Sequence, residues 1–413
     1  MDAPGLMKRS TFSALLALPL LLAPAVESGA AGVRLDVIPT LRLEEGYHTN
    51  VYDSANNEVD SFGTRVAPGL ALRLTAPDEV KLQFSGSYER TWYHATDAED
   101  ADDKTWNFRV ESSGAWRLTP SFSVTPSAYY LRTPDSFRRV QLLPAGDPTL
   151  PPVSIINYGE EKTDEFGGGL NFSYTPSPNW IFGLGGNYSR QQFPDDNTAS
   201  GLTDATQYGG SFSVQYAVSP RSKLGLGGSV THNTYEDSDS TDSYYLGVQF
   251  GYQFTQVFRF DASVGASQIR ENAEGGEPER KDTTPSGSFS FTYRTLESVA
   301  RFFGSAVYTG ASGYGEASKQ YTVGVTFTDY LTREWAWLLN AYYQKNDSVF
   351  TEESLDIESI NGRIGIRYQP LDWFAIDAHV SAEWQDSTGV YGDTIESYSA
   401  VLGFTLGKSV NIY

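Results

Sequence analysis

From Ser243 to Thr255, apolar and small polar residues alternate without a break: Tyr244, Leu246, Val248, Phe250, Tyr252 and Phe254 fall on one parity, Ser243, Gly247, Gln249, Gly251 and Gln253 on the other. Successive side chains of a strand point to opposite faces, so this segment has one greasy face with aromatics at its ends and one small, polar face. The pattern recurs from the thirties to the C-terminus, at about twenty residues per strand plus connection, which is how transmembrane β-barrels are written. A soluble sandwich or propeller has no need of it, and no blade-length repeat is evident.

Composition agrees. Beyond the first thirty residues no segment approaches a run of about twenty apolar residues, so spanning helices are excluded. The mean hydropathy of −0.37 is that of a water-soluble chain, but a barrel meets lipid only with alternate residues. The 26 Tyr, 23 Phe and 8 Trp supply the side chains that favour membrane interfaces. With no Cys, lipid anchoring through a thiol, disulfides and thiolate metal sites are all excluded. A net charge of −21 argues against a nucleic-acid partner.

Residues 1–30 have a different logic. Lys8 and Arg9 precede the apolar run Ala14–Leu22, and small residues follow at Ser28–Ala31. That order predicts a secretory signal peptide cleaved after Ala30 or Ala31, leaving residues 31–413 as the barrel.

Connections alternate in type. Short ones, many with Pro, fall at Ala76–Glu79, Thr119–Ser121, Pro176–Asn179, Ser219–Ser222, Thr255–Val257, Leu296–Ser298, Thr332–Glu334 and Pro370–Asp372. Longer, acidic ones fall between them, as at Asp97–Lys104 and Glu271–Glu277. Short turns belong to the periplasmic side and long loops to the outside, so the expectation is about eighteen antiparallel strands with both termini periplasmic. Two aromatic belts fit this frame. One includes Trp116, Trp180, Tyr216, Trp335 and Tyr368 near the short turns; the other includes Trp92, Trp106, Tyr188, Tyr244 and Tyr398 at the opposite ends. The last strand is expected at about Tyr398–Tyr413. Its aromatic terminus is similar to the signal read by barrel-insertion machinery, although the alternation slips at Gly407–Ser409.

Inward positions can then be sorted by depth. Near the short turns Arg73, Lys81, Arg117, Lys223, Arg259, Arg294, Arg301 and Arg367 take the polar parity, with Asp261 and Asp377 outnumbered among them. Two readings stand side by side: a basic periplasmic mouth that draws anionic solute or polymer inward, or guanidinium groups that brace the wall through hydrogen bonds. Higher in the lumen Arg65, Arg109, Glu111, Arg363, His379, Glu383, Tyr129 and Tyr342 are expected. Gly169, Gly183, Gly185, Gly209, Gly225 and Gly227 form an inward glycine wall. The longest connection, about Thr133–Lys162, is unusually apolar and is expected to fold onto that wall as a constriction rather than contact neighbouring molecules outside. No phosphate loop, zinc spacing, EF-hand or Ser–His constellation is visible, so neither catalysis nor a cofactor or metal is expected; the acidic loops would hold divalent cations weakly beside lipopolysaccharide.

The leader running straight into strands, as at Val37–Tyr47, and the reversals Tyr174-Thr175-Pro176 and Tyr216-Ala217-Val218-Ser219-Pro220 resemble the β-barrel porin type 2 family over residues 31–413. That resemblance implies an outer-membrane barrel of an exopolysaccharide export system, completing a path begun by a periplasmic polysaccharide export protein. It implies no catalytic residues. The alternative expectation is a diffusion porin for small solutes, which needs only the barrel and a constriction.

Overall fold

The computed structural model describes residues 33–51, 58–76, 80–95, 106–133, 163–193, 202–236, 238–272, 279–309, 317–350, 356–388 and 394–411. The proposed leader at 1–30, the loop at about 133–162 beyond Thr133, and Tyr413 lie outside the described residues.

The strands follow one another as antiparallel neighbours: β1 (Arg34–His48), β2 (Ser61–Ala76), β3 (Val80–Tyr93), β4 (Trp106–Thr119), β5 (Phe122–Thr133) and β6 (Thr163–Ser177). Next come β7 (Trp180–Gln192), β8 (Ala205–Ser219), β9 (Ser222–Tyr235), β10 (Ser240–Gln253), β11 (Phe258–Asn272) and β12 (Arg280–Arg294). The wall is completed by β13 (Ser298–Thr309), β14 (Ser318–Tyr330), β15 (Trp335–Ser348), β16 (Asp356–Leu371), β17 (Phe374–Ser387) and β18 (Thr394–Gly407). β1 pairs with both β2 and β18, which closes the sheet into a barrel. Closure removes the edge strands, so among paired residues the backbone polar groups are satisfied within the wall.

The slip expected at Gly407–Ser409 does not occur in the pairing. β18 stops at Gly407, yet Val410 and Asn411 resume the ladder, and the steps from Thr40↔Gly407 to Val37↔Val410 are three residues on each strand. Lys408 simply takes an outward place where the strand leaves the apolar band.

The predicted short connections all join an even-numbered strand to the next one. Their chemistry is repetitive. The hydroxyls of Ser219, Thr255, Thr295 and Thr332 each accept backbone N–H groups two and three residues on, for example from Glu297 at 3.2 Å and Ser298 at 2.8 Å onto Thr295 Oγ1. A small hydroxyl residue at the end of a strand thereby reverses the chain in few residues. Both described ends of the chain lie at this short-turn rim.

Alternation decides what each face meets. Outward residues include Leu246 and Val264, which are 61% and 73% exposed. Apolar side chains left this bare in an ordered wall are solvated by lipid. The band is closed on the short-turn side by ring contacts such as Trp335–Tyr368 at 4.4 Å, Trp180–Tyr216 at 5.0 Å and Tyr252–Phe254 at 4.8 Å. On the other side Tyr188 meets Tyr208 at 5.2 Å, and the Arg132 and Arg270 guanidinium groups sit over Trp106 and Tyr244 at 4.6 and 5.3 Å. These are the two belts expected.

One seam is weaker than the rest. β12 and β13 pair only from Gly287↔Ala306 to Arg294↔Val299, leaving the long-loop half of β12 laddered to β11 alone. Pro285, which has no N–H, lies where the ladder stops. Across the gap Asp282 accepts from the Tyr308 hydroxyl at 2.6 Å and pairs with Lys319 Nζ at 2.8 Å, so side chains hold what the backbone does not.

Candidate functional site: the lumen

The register places all eight basic residues on the inward face, in the half of the barrel near the short turns. Arg73 on β2 pairs opposite Gln83, Lys81 on β3 opposite Thr75, and Arg117 on β4 opposite Ser123. Lys223, Arg259, Arg294 and Arg301 stand on β9, β11, β12 and β13; Thr292 lies directly between Arg259 and Arg301. Arg367 stands apart on β16, opposite Asp377. The charges thus form one patch on β2–β4, a second on β9–β13 and a single position on β16.

The two readings of these residues divide between them. Arg259 Nη2 donates to Asp261 at 2.7 Å, which braces the wall, whereas Arg367 Nε lies 3.8 Å from Asp377, an ion pair beyond hydrogen-bond distance. Arg301 lies over the Phe303 ring at 4.9 Å. Arg73, Lys81, Arg117, Lys223 and Arg294 have no ion pair among the described residues, and their charge is turned to the lumen. Two further members are Arg34 and Asp36 on β1, which pair at 2.8 Å. Their position in the first three residues of β1, before the alternation is established, hid them from pattern reasoning.

Higher in the lumen the polar groups are tied together. Glu44, 5% exposed, accepts from Arg65 Nη1 at 2.9 Å and contacts Arg42 Nη2 at 2.5 Å. Arg109 reaches Glu111 at 2.5 Å, Tyr129 donates to Glu165 at 2.7 Å, and Arg363 contacts His379. The glycine wall on β6–β9 also faces inward, and the space above three of its glycines is taken by side-chain amides. A Cβ at Gly185 would stand 2.4 Å from Asn171 Oδ1, at Gly209 2.2 Å from Asn187 Oδ1, and at Gly227 2.2 Å from Gln249 Nε2. The glycines let those side chains lie flat along the barrel; whether the loop at about 133–162 also packs there lies outside the described residues.

The two ends of the lumen differ in access. At the long-loop end the inward residues Ile269, Gln344, Ser359 and Asn361 are 0% exposed, and Thr163, Gln320 and Ile357 1%. At the short-turn end the side chains of Arg259 and Arg367 are 52% and 40% exposed. The lumen is a wet vestibule at one end and packed at the other.

Two histidines outside the lumen have polar partners: His94 Nε2 lies 2.9 Å from Thr64 Oγ1 and 3.5 Å from Glu45 Oε1. His232 Nδ1 is 2.7 Å from Asp242 and its register neighbour on β8 is Tyr208. Among the described residues no cluster of His, Asp and Glu has metal-binding geometry.

Residues 150–277, which include β6 to β11 and less than half of the chain, match the family described as Putative MetA-pathway of phenol degradation. No curated protein matches the sequence. Similar solved structures include Pseudomonas aeruginosa OpdK with vanillate, at 11% identity and TM-score 0.46, covering 91% of this chain and 99% of that one. P. aeruginosa OccK2 in complex with glucuronate is similar at 12% identity and TM-score 0.45, covering 90% and 98%. Acinetobacter baumannii OccAB1 is similar at 12% identity and TM-score 0.44, covering 94% and 100%. These matches say nothing of polysaccharide export, so the expectation drawn from the porin type 2 resemblance finds no support in them. A closed antiparallel wall, an apolar belt between two aromatic rims and a polar, charged lumen have one common meaning: the chain is an integral outer-membrane β-barrel built as a channel.

Proposed function

We propose that this barrel is a selective diffusion channel for small anionic solutes, with the short-turn rim in the periplasm. The carrying observation is the crowding at the long-loop end, where inward side chains such as Gln344, Ser359 and Asn361 have no accessible surface, as the wall of a constriction would. A diffusion channel with a constriction accommodates this geometry; a polysaccharide conduit needs a continuous wide path. The patch of Arg73, Lys81 and Arg117, which has no ion pair among the described residues, supports the preference for anions, because like-signed charges in a low-dielectric tube focus the field along its axis. The partial match to a family named for phenol degradation also supports small molecules over polymers.

The test is electrical. Purified protein in planar bilayers is expected to show stable single-channel currents with anion preference, and proteoliposomes should admit small carboxylates while excluding dextrans. A barrel that conducts nothing by itself, or passes dextrans freely, refutes the proposal.

A further inference from the structure

On the lipid face, outward residues of β7 to β12 form one row: Tyr188, Tyr208, His232, Asp242, Arg270 and Lys281, each directly opposite the next. Tyr188 stands four residues from the long-loop end of β7 and Lys281 one from that of β12, so the row climbs out of the aromatic belt as it crosses the tilted strands. Tyr188 lies eight residues beyond Trp180 of the short-turn belt. At about 3.4 Å per residue and a tilt of about 40°, that is roughly 21 Å along the barrel axis. The two rings bracket the apolar band, and side chains at or above Tyr188 meet lipid headgroups.

Cations stand on this edge with weak holds. Arg190, two residues above Tyr188 on the same face, has its Nη2 3.6 Å from Asp204, an ion pair beyond hydrogen-bond distance. That carboxylate already accepts from Gln192 Nε2 at 3.0 Å and the Phe193 N–H at 2.9 Å. Asp242 occupies His232 Nδ1 at 2.7 Å, which leaves Nε2 for a ligand. Arg270 and Lys281 share one carboxylate, Glu279, at 4.0 and 3.0 Å. Exposed pairs of this kind are worth little and exchange for a better anion. Across the barrel the same rim is acidic. Glu45, Glu358, Asp386 and Glu396 point outward on β1, β16, β17 and β18, and no outward Lys or Arg joins them in the long-loop half among the described residues.

Below the Tyr188–Tyr208 ring pair the wall is bare backbone. Gly186 and Gly210 pair with each other; a Cβ at Gly210 would meet nothing within 4 Å, and one at Gly186 only the Gly209 carbonyl oxygen at 3.8 Å. The Phe212 ring leaves this floor open because it leans over Gly228, where a Cβ would stand 2.7 Å from its Cε1. Exposed Leu170 and Val230 flank the two glycines on the neighbouring strands.

We infer that this face binds a phosphorylated glycolipid of the outer leaflet. Arg190 and His232 take a phosphate, the hydroxyls of Tyr188 and Tyr208 meet the sugar, and an acyl chain lies over Gly186 and Gly210. Charge selects the occupant: the arginine fork matches phosphate oxygens, and the opposite rim repels them. The site rests on the reading that puts the short-turn rim in the periplasm.

Native mass spectrometry of the barrel in neutral detergent with EDTA reads lipid binding without bridging cations. The probes are lipid A, phosphatidylglycerol and an uncharged galactosyl diacylglycerol. Lipid A should bind most tightly, and Arg190→Gln should weaken it about tenfold, the loss expected of one charge-assisted contact. His232→Gln should weaken it less, and Gly210→Leu should weaken it at unchanged charge by filling the floor. Lys345→Gln on β15 removes a cation elsewhere on the rim and should change nothing. Heat-modifiable migration verifies that each variant is folded. Either control lipid binding as tightly as lipid A, or equal losses in Arg190→Gln and Lys345→Gln, overturns the site. Orientation is read separately. The chain has no Cys, so Glu236→Cys in the β9–β10 connection should react with an impermeant maleimide on whole cells. Labelling only after the cells are opened overturns orientation and site together; lost lipid A preference in a barrel that labels from outside overturns the site alone.

Discussion

Reversing the charge of Arg73, Lys81 and Arg117 together is the sharpest perturbation of the vestibule, because none of the three has an ion-pair partner among the described residues whose loss would confuse the result. A wall of 18 strands, spaced by about 4.8 Å and tilted by about 40°, has a radius near 18 Å; side chains extending inward bring the charges to roughly 10 Å from the axis. In water, one charge at that distance acts on a monovalent ion with about 0.4 kcal/mol, so three Arg/Lys→Glu changes alter the energy by about 2.5 kcal/mol before screening. Screening leaves about 0.9 kcal/mol at 0.1 M salt, about 1.8 at 0.01 M and about 0.1 at 1 M. Because the anion is disfavoured and the cation favoured by the same amount, the anion-to-cation permeability ratio should fall about twentyfold at 0.1 M, about 450-fold at 0.01 M and only about 1.4-fold at 1 M. Reversal potentials of single channels in salt gradients measure this directly. A shift of equal size at 0.01 and 1 M, or none at low salt, would refute the steering argument. Loss of the folded band on a heat-modifiable gel would show that the three residues brace the wall.

Other perturbations act on the wall itself. Glu44→Ala leaves Arg42 and Arg65 facing each other without their buried acceptor, and should cost about 3–5 kcal/mol in urea titrations of the folded barrel. Asp282→Ala removes the acceptor that clasps Tyr308 and Lys319 across the β12–β13 gap; a loss of about 1–3 kcal/mol is expected, with faster proteolysis at that seam if the clasp holds it. Gly265→Ala places a methyl 2.1 Å from the Leu246 carbonyl oxygen, whereas Gly227→Ala meets only the movable end of Gln249 at 2.2 Å. The first should destabilise the barrel by about 1–3 kcal/mol of overpacking, seen as a lower unfolding temperature, and the second far less.

What the sequence alone determined was everything carried by a period of two and by chain reversal. Alternation from Tyr244 to Phe254 dictated strands with one lipid face, and short Ser/Thr-bearing connections forced antiparallel neighbours, so strand number, order and inward parity were all legible. Tertiary structure alone decided which inward groups meet. Arg259 finds Asp261 two residues along its own strand, but Arg65 finds Glu44 and Arg367 finds Asp377 only through the register between strands. That register also divides the vestibule's cations into braced and unbraced ones, and lines up Tyr188, Tyr208 and His232 across three strands. The packed long-loop end, with Gln344 and Ser359 wholly covered, is likewise invisible to a parity pattern. Parity says which way a side chain points; the distance to what it points at depends on residues far away in the chain, brought near by closure of the sheet.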